Sequence, residues 1–312
     1  MTTDLLFRGD AYLTRAEAVV LAHTPEGGIV VDRSVFYPTG GGQPGDCGLL
    51  HWHGGHIVIA TALKVDGGRV ALVPSEPVAM PPVGAVVMQS LDWARRHRLM
   101  RVHTALHLLS VVIPLPVTGG QIGADRGRLD FDMADPPSDL PGLLARLNAL
   151  IDADLPVSED WITDDELAAN PGLVKTLSVA PPTGQGRVRL VRIGHGTAQV
   201  DLQPCGGTHV ARTGEIGRVE FGRIEKKGRQ NRRVYLELNG VSGGQQVGTR
   251  RWPVECPLHD LPPGRPSFIT RVLGVDRHRF RVWQARRARC HQIAQALGAR
   301  RTGSCCRGRN AA

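Results

Sequence analysis

The sequence predicts an α+β fold in which a β-rich first unit is followed by helices laid against an antiparallel sheet. Three observations carry this reading. Short β-branched runs punctuated by Gly and Pro fill roughly the first ninety residues. A helix with apolar positions at Leu99, Val102, Leu106, Leu109 and Ile113 comes next. The stretch from Arg187 to Leu238 then reads as a run of strands. Helices and strands grouped in this way suit an α+β arrangement better than an alternating α/β one.

Taken in order, Gly28 to Val31, His56 to Ala60, Val70 to Val73 and Ala85 to Met88 are the expected strands of a unit spanning residues 1–90. Between the first two lies Ser34-Val-Phe-Tyr-Pro-Thr-Gly-Gly-Gly-Gln-Pro-Gly-Asp46. Gly40, Gly41 and Gly42 allow a ligand to approach the backbone closely, and Gln43 offers an amide acceptor and two donors. On the glycines alone, a plain surface turn reads at least as well. Pro74 to Pro82 is proline-rich enough to be a linker or an edge.

The long helix opens a second unit, residues 91–240, with Asp92 as N-cap and Pro114 as stop. A turn at Pro136-Pro137 precedes an amphipathic helix near Leu140 to Ile151. Thr163-Asp-Asp-Glu-Leu is a short capped helix ended by Asn170-Pro171. Pro181 to Gly186 is a turn. Arg187 to Ile193, Thr197 to Leu202, Ile216 to Ile224 and Arg232 to Leu238 alternate or run apolar as strands do. From residue 241 to 312 the texture changes to Gly, Pro and arginine without lysine, an accessory or poorly ordered tail with one basic helix at Phe280 to Leu297.

The chain has 312 residues, enough for two domains with substantial cores. Its net charge of +9 invites a nucleic-acid reading, but the charge is concentrated. Fourteen arginines after residue 248 face only Glu255, Asp260 and Asp276, so the tail outweighs the whole surplus and the rest is slightly acidic. Within the body, Arg95, Arg96, Arg98 and Arg101 precede the helix histidines, and Arg218 to Arg233 forms a second basic stretch. The opening residues lack the apolar core of a secretory signal, and no run of about 18 apolar residues suggests a membrane span. Cys47, Cys205, Cys256, Cys290, Cys305 and Cys306 are too irregular for a disulfide framework, which points to a reducing cytoplasm.

The chemistry begins with His103 and His107, four residues apart and therefore on one helical face. Two histidines do not make a metal site. Cys205 and His209 in Gln203-Pro-Cys-Gly-Gly-Thr-His209 supply two more donors, with glycines between them that leave the backbone free to turn. Three imidazoles and a thiolate form the mixed N/S set that tetrahedral zinc takes, one ion per chain. A zinc peptidase helix needs Glu directly after the first histidine, and Thr104 stands there instead. His51, His53 and His56, interleaved with Trp52 and glycines, read as a solvated hairpin.

Four motifs in this order resemble the AlaX proteins, free-standing relatives of the alanyl-tRNA synthetase editing domain. They are Phe36-Tyr-Pro-Thr-Gly-Gly-Gly-Gln-Pro-Gly-Asp46, His103-Thr-Ala-Leu-His-Leu-Leu109, Gln203-Pro-Cys-Gly-Gly-Thr-His-Val210 and Lys227-Gly-Arg-Gln-Asn-Arg-Arg233. The resemblance covers residues 5–240. It implies a β-barrel-like N-terminal domain, a zinc-binding editing domain, and hydrolysis in trans of tRNA(Ala) mischarged with serine or glycine. It implies the acceptor end of tRNA(Ala) as partner and no membrane. Nothing resembles an ATP-using charging domain, so neither ATP use nor tRNA charging is expected, and a monomer is the expected state. The tail has no counterpart in this resemblance.

For such an ester hydrolase, zinc with an open coordination position lowers the pKa of bound water to about 7. With all four protein ligands bound it holds or orients instead, and water is then positioned by Gln43, Thr208 or a ribose hydroxyl. A pocket that hydrogen-bonds the serine hydroxyl can discriminate by about 10⁴ to 10⁵, whereas excluding one methylene reaches only about 10 to 200-fold. A hydroxyl-reading residue is therefore expected. The family's threonine two residues before Phe-Tyr is Ser34 here, and Ser34 and Gln43 are the candidates. Arg223, Lys226, Lys227, Arg229, Arg232 and Arg233 are candidates for phosphate contacts with the acceptor stem. Two alternatives stay open: a zinc-stabilised RNA-binding module without catalysis, and a metal-independent Gly-Gly-Gln ester hydrolase.

Overall fold

The computed structural model describes residues 2–176 and 186–239. Its first half runs β1 (Asp4–Leu5), a 3₁₀ turn (Leu6–Arg8), β2 (Arg15–His23), β3 (Ile29–Val31), β4 (Arg33–Ser34), β5 (Gly48–Trp52), β6 (Gly55–Val65), β7 (Arg69–Pro74) and β8 (Val86–Leu91). Six of these strands close into a barrel in the order β2-β3-β7-β6-β5-β8, antiparallel throughout, with β8 pairing back onto β2. Closure leaves no free sheet edge. Ile29, Val31, Leu50, Ile59 and Leu72 fill its interior. β1 pairs in parallel with β4 and straps the N-terminal segment to the barrel.

Two barrel strands, β2 and β5, were not among those expected from the sequence. β2 carries Arg15 and Glu17 at exposed positions, and β5 is short; both become strands through their shared partner β8. The proline-rich Pro74 to Pro82 segment is not a domain linker, because it joins β7 to β8 inside the barrel.

The second half comprises α1 (Trp93–Val112), β9 (Val117–Ile122), β10 (Arg126–Asp132), α2 (Leu140–Asp152), β11 (Val157–Thr163), α3 (Asp164–Ala169), β12 (Arg187–Ile193), β13 (Asp201–Pro204), β14 (Val219–Gly228) and β15 (Asn231–Leu238). Two antiparallel sheets result, β14-β15-β10-β9 and β11-β12-β13. Asp92 caps α1 by accepting from the Arg95 amide, and Ile113 ends it immediately before Pro114. A reciprocal capping box between Thr163 and Glu166 starts α3.

α1 departs from the simple amphipathic expectation. Beyond Leu99 it is buried on nearly every side, including at His103, Thr104, His107 and Ser110. Its apolar stripe packs on β10 so closely that a Cβ at Gly127 would lie 2.6 Å from Val102. Another side meets α2 and β13, so its polar residues are enclosed too. Trp93 at its start packs against both the barrel core and the core around α1.

The expected strand at Thr197 to Leu202 begins instead as a 3₁₀ turn, Gly196–Ala198. Gly194 (φ 78°) and Gly196 (φ 55°) turn the chain there, and pairing starts at Asp201 opposite Ile193. Similarly, Thr213–Ile216 is a 3₁₀ turn, and β14 begins only at Val219. The turn expected over Pro181 to Gly186 lies outside the described residues except at Gly186, and the arginine-rich tail lies outside them altogether. Among the described residues, no helix is long and apolar enough to cross a membrane.

Candidate metal centre and cavity

The side chains of His103, His107, Cys205 and His209 converge, with one ligand atom from each lying within 4.8 Å of all the others. α1 presents His103 and His107 from successive turns of one face. β13 ends at Pro204, and the Cys205-Gly-Gly-Thr-His209 loop folds Cys205 and His209 back onto them. Cys205 Sγ lies 3.5 Å from His103 Nε2 and 3.3 Å from His209 Nε2. Zn–N distances near 2.0–2.1 Å and Zn–S near 2.3 Å imply donor separations of about 3.3–3.7 Å in a tetrahedron. The donor set and its spacing therefore fit a metal ion.

Each imidazole is aimed by a hydrogen bond at its other nitrogen. His103 Nδ1 meets Gln43 Oε1 at 3.0 Å, His107 Nδ1 meets Asp201 Oδ2 at 3.0 Å, and His209 Nδ1 meets Thr104 Oγ1 at 3.1 Å. The Thr104 hydroxyl donates to the Met100 carbonyl, so it accepts from His209. Three acceptors on Nδ1 leave three Nε2 atoms as ligands, the arrangement that fixes tautomer and ring direction in metal sites. Asp201 is itself held by Lys175 (2.6 Å) and by Gln203 Nε2 (2.7 Å).

The electrostatics favour ligand-ready forms of Cys205 and His209, whereas metal binding at His107 displaces a proton. Burial disfavours the Cys205 thiolate, but the neighbouring His103 and His209 outweigh it and hold the thiol well below its ordinary value. Burial, reinforced by His103, keeps His209 neutral. Burial also opposes charge on His107, yet Asp201 and Cys205 raise it to about 9. Replacing Asp201 with Asn removes the acceptor charge behind His107 and is expected to weaken metal affinity by about 10 to 100-fold. Competition with a chromophoric chelator measures this directly; unchanged affinity would exclude Asp201 from holding the site.

Gln43 does more than sit beside the centre. Its Oε1 accepts from His103 and from the Thr208 amide (3.1 Å), while its Nε2 donates to Thr208 Oγ1 at 2.9 Å. It thereby ties the glycine-rich loop to both metal-ligating segments. That loop is a tight reversal in which Gly40 and Gln43 exchange backbone hydrogen bonds, with Gly41 and Gly42 at positive φ (57° and 82°). Gly42 rests on β9, where a Cβ would meet the Gly120 carbonyl at 2.9 Å. The far end of the loop is closed by Asp46, which accepts from the Tyr37 amide and forms a buried ion pair with Arg96.

A cavity of about 300 Å³ opens onto this centre, walled by three of the four ligands, His103, His107 and Cys205, and by Gly41 and Gly42. Gln43 and Thr208 lie behind the wall rather than in it. Ser34 is not brought to the cavity. It is fully buried, and its hydroxyl contacts Gln89 Oε1 (3.2 Å) and the Phe36 backbone. Ser110 and Gln203, which the sequence did not single out, do line it.

The basic candidates divide. Arg232 is buried against the backbone carbonyls of Gly228, Asn231 and Ala134, and Arg233 forks onto Asp130 with two 2.8 Å contacts. Arg223 and Lys227 share Glu225 (2.6 and 2.7 Å), and Arg223 also stacks over Tyr235. Lys226 and Arg229 are exposed near the β14–β15 turn and have no carboxylate partner among the described residues.

Of the residues aiming the ligands, Gln43 was singled out, but Asp201 and Thr104 were missed because each is ordinary in isolation. Asp201, Gln203 and Cys205 alternate along β13 and its continuation, so a period of two placed them together. Arg189 was hidden more deeply, in an apolar strand. It reaches across to donate to the carbonyls of Cys205 (2.9 Å) and Gly207 (2.8 Å) and so pins the ligand loop.

Residues 188–235, which carry Cys205 and His209 of the His/His/Cys/His cluster, match the family described as the threonyl and alanyl tRNA synthetase second additional domain. The alanyl-tRNA editing protein AlaX-M of Methanosarcina acetivorans is 32% identical over 246 residues, covering 76% of this chain and 99% of the relative. AlaX-M of Methanosarcina barkeri is 33% identical over 244 residues, with the same coverage. The alanine–tRNA ligase of Pyrobaculum neutrophilum is 32% identical over 229 residues, but the match spans only 25% of the ligase. This chain belongs to the AlaX family of free-standing alanyl-tRNA editing proteins.

Proposed function

We propose that the protein is a zinc-dependent deacylase that hydrolyses the aminoacyl ester of tRNA(Ala) mischarged with serine, and also with glycine, in trans. The observation that carries this reading is a cavity walled by three side chains of one metal-ligating cluster. That arrangement favours catalysis over a purely structural zinc, which has no use for an adjoining cavity. His103, His107, Cys205 and His209 would hold the zinc, which supplies positive charge next to the ester.

The chain's own residues do the rest. Asp201, Thr104 and Gln43 keep the three imidazoles aimed, so little reorganisation is needed when substrate arrives. Gly41 lets the substrate approach the backbone without a Cβ in the way, while Gly42 seats the loop on β9. Leu106, Ile122 and Leu129 line the same cavity and restrict bulk water. With Ser34 committed inside the barrel, serine reading falls to polar groups on the wall. Ser110 and Gln203 stand there, Ser110 donating to the His107 backbone carbonyl and Gln203 to Asp201. The exposed Lys226 and Arg229 are the members of the basic stretch best placed to meet acceptor-stem phosphates. The proposed setting is cytoplasmic translation quality control, without ATP, by a monomer.

Metal analysis and chelation test the proposal. The purified protein should carry close to one equivalent of zinc, lose deacylation when stripped, and regain it on adding zinc. Activity that survives complete removal of the metal would refute the zinc-dependent reading and favour a Gly-Gly-Gln hydrolase.

A further inference from the structure

The cavity has a charge asymmetry that the metal cluster does not explain. Its wall includes Arg8, Lys64 and Lys175 and, among the described residues, no carboxylate. The three cations come from separate segments: the 3₁₀ turn after β1, strand β6, and the stretch following Pro171–Leu173. Lys175 is committed to Asp201 at 2.6 Å. Arg8 and Lys64 have no ion-pair partner among the described residues. Arg8 is half-buried, and burial together with the nearby Arg189 penalises its charge more than Tyr37 and Glu159, itself paired with Arg189, favour it. Lys64 is exposed and lies over the glycine-rich loop, its Nζ 3.5 Å from where a Cβ on Gly40 would be. Two cations without an ion-pair partner among the described residues stand at one cavity, one of them partly desolvated, and form a site awaiting an anion.

We infer that Arg8 and Lys64 form a phosphate subsite for the 5′ phosphodiester of the nucleotide whose ribose carries the ester. This rests on the deacylase reading above. The ester and that phosphate belong to the same nucleotide, so a cavity of about 300 Å³ that brings the ester to His103, His107 and Cys205 places the phosphate at its wall or mouth. The subsite holds the acceptor end by its last nucleotide, independently of contacts farther along the RNA. Arginine supplies a directional fork and lysine a mobile point charge.

Two small substrates test the inference: the seryl ester of adenosine and the seryl ester of adenosine 5′-monophosphate. The expected KM of the wild type is about tenfold lower for the phosphate-bearing ester, the scale of a charge-assisted contact. Lys64→Gln, an exposed substitution with little consequence for folding, should shrink that ratio, and Arg8→Gln with Lys64→Gln should bring it near one. Equal KM values in the wild type, or a preference that survives in the double variant, would overturn the subsite. Should neither ester be hydrolysed, the deacylase reading fails instead, and calorimetry still decides the subsite. Wild-type protein binding adenosine 5′-monophosphate more tightly than adenosine, with the difference lost in the double variant, supports it; no difference overturns it.

Discussion

Gly207→Ala is expected to weaken metal binding by about 5 to 150-fold and to depress activity while leaving the fold in place. A Cβ at this position would lie 2.2 Å from His103 Cε1, 2.6 Å from His103 Nδ1 and 2.8 Å from Gln43 Oε1. None of these atoms is a free end. His103 is buried in α1 and locked by Gln43, and Gln43 is locked in turn by Thr208. Relief requires displacing the ligand loop or the imidazole. Overpacking of this kind costs about 1–3 kcal/mol, which taken from metal affinity is a loss of about 5 to 150-fold. Gly206→Ala is the internal control, because nothing lies within 4 Å of a Cβ there. Zinc affinity and deacylation measured on both variants should separate sharply. Equal behaviour of the two would show that the loop is not packed against His103 as described.

Arg96→Met is expected to destabilise the protein by about 3–5 kcal/mol, the cost of leaving one partner of a buried ion pair alone. Arg96 and Asp46 are essentially inaccessible, at 0% and 1% exposure. The guanidinium also donates to the carbonyls of Ala11 (2.9 Å) and Val35 (2.7 Å), so its loss orphans acceptors on two further segments. Urea denaturation gives the magnitude. The double variant with Asp46→Leu should recover part of the loss, since a buried charge is no longer left unpaired. A single-variant loss below about 1 kcal/mol would mean that water reaches this pair. The consequence extends to the site, because Asp46 closes the loop that carries Gln43, and Gln43 aims His103.

These two positions show what the sequence made legible and what it concealed. The candidate metal cluster was legible because metal chemistry restricts the residue types: a His/His pair and a Cys/His pair, each at a spacing of four, stand out wherever they fall. The barrel was less so. β2 and β5 are weakly patterned strands whose stability comes from pairing with β8, a long-range partnership that local periodicity does not encode. The burial of α1 beyond Leu99 was hidden for a similar reason. His103, Thr104, His107 and Ser110 look like a polar face until β13 and the Cys205–His209 loop cover them.

Ser34 shows the converse case. Its place in a motif suggested a role at the substrate, yet its hydroxyl is used inside the barrel against Gln89 and the Phe36 backbone. The basic run behaved likewise: Arg232 and Arg233 are spent on carbonyls and Asp130, while Arg8 and Lys64, isolated in sequence, meet at the cavity. Charge density along the chain was a poorer guide than the neutralisation of each charge in the fold.

The central claim is that this cavity selects and hydrolyses an ester carried on tRNA(Ala). Timed hydrolysis of Ser-tRNA(Ala) and Ala-tRNA(Ala) by the zinc-loaded, full-length protein tests it most directly. The account predicts rapid loss of the serine ester, with the alanine ester slower by orders of magnitude. Equal rates for the two, or a stable serine ester, would contradict it.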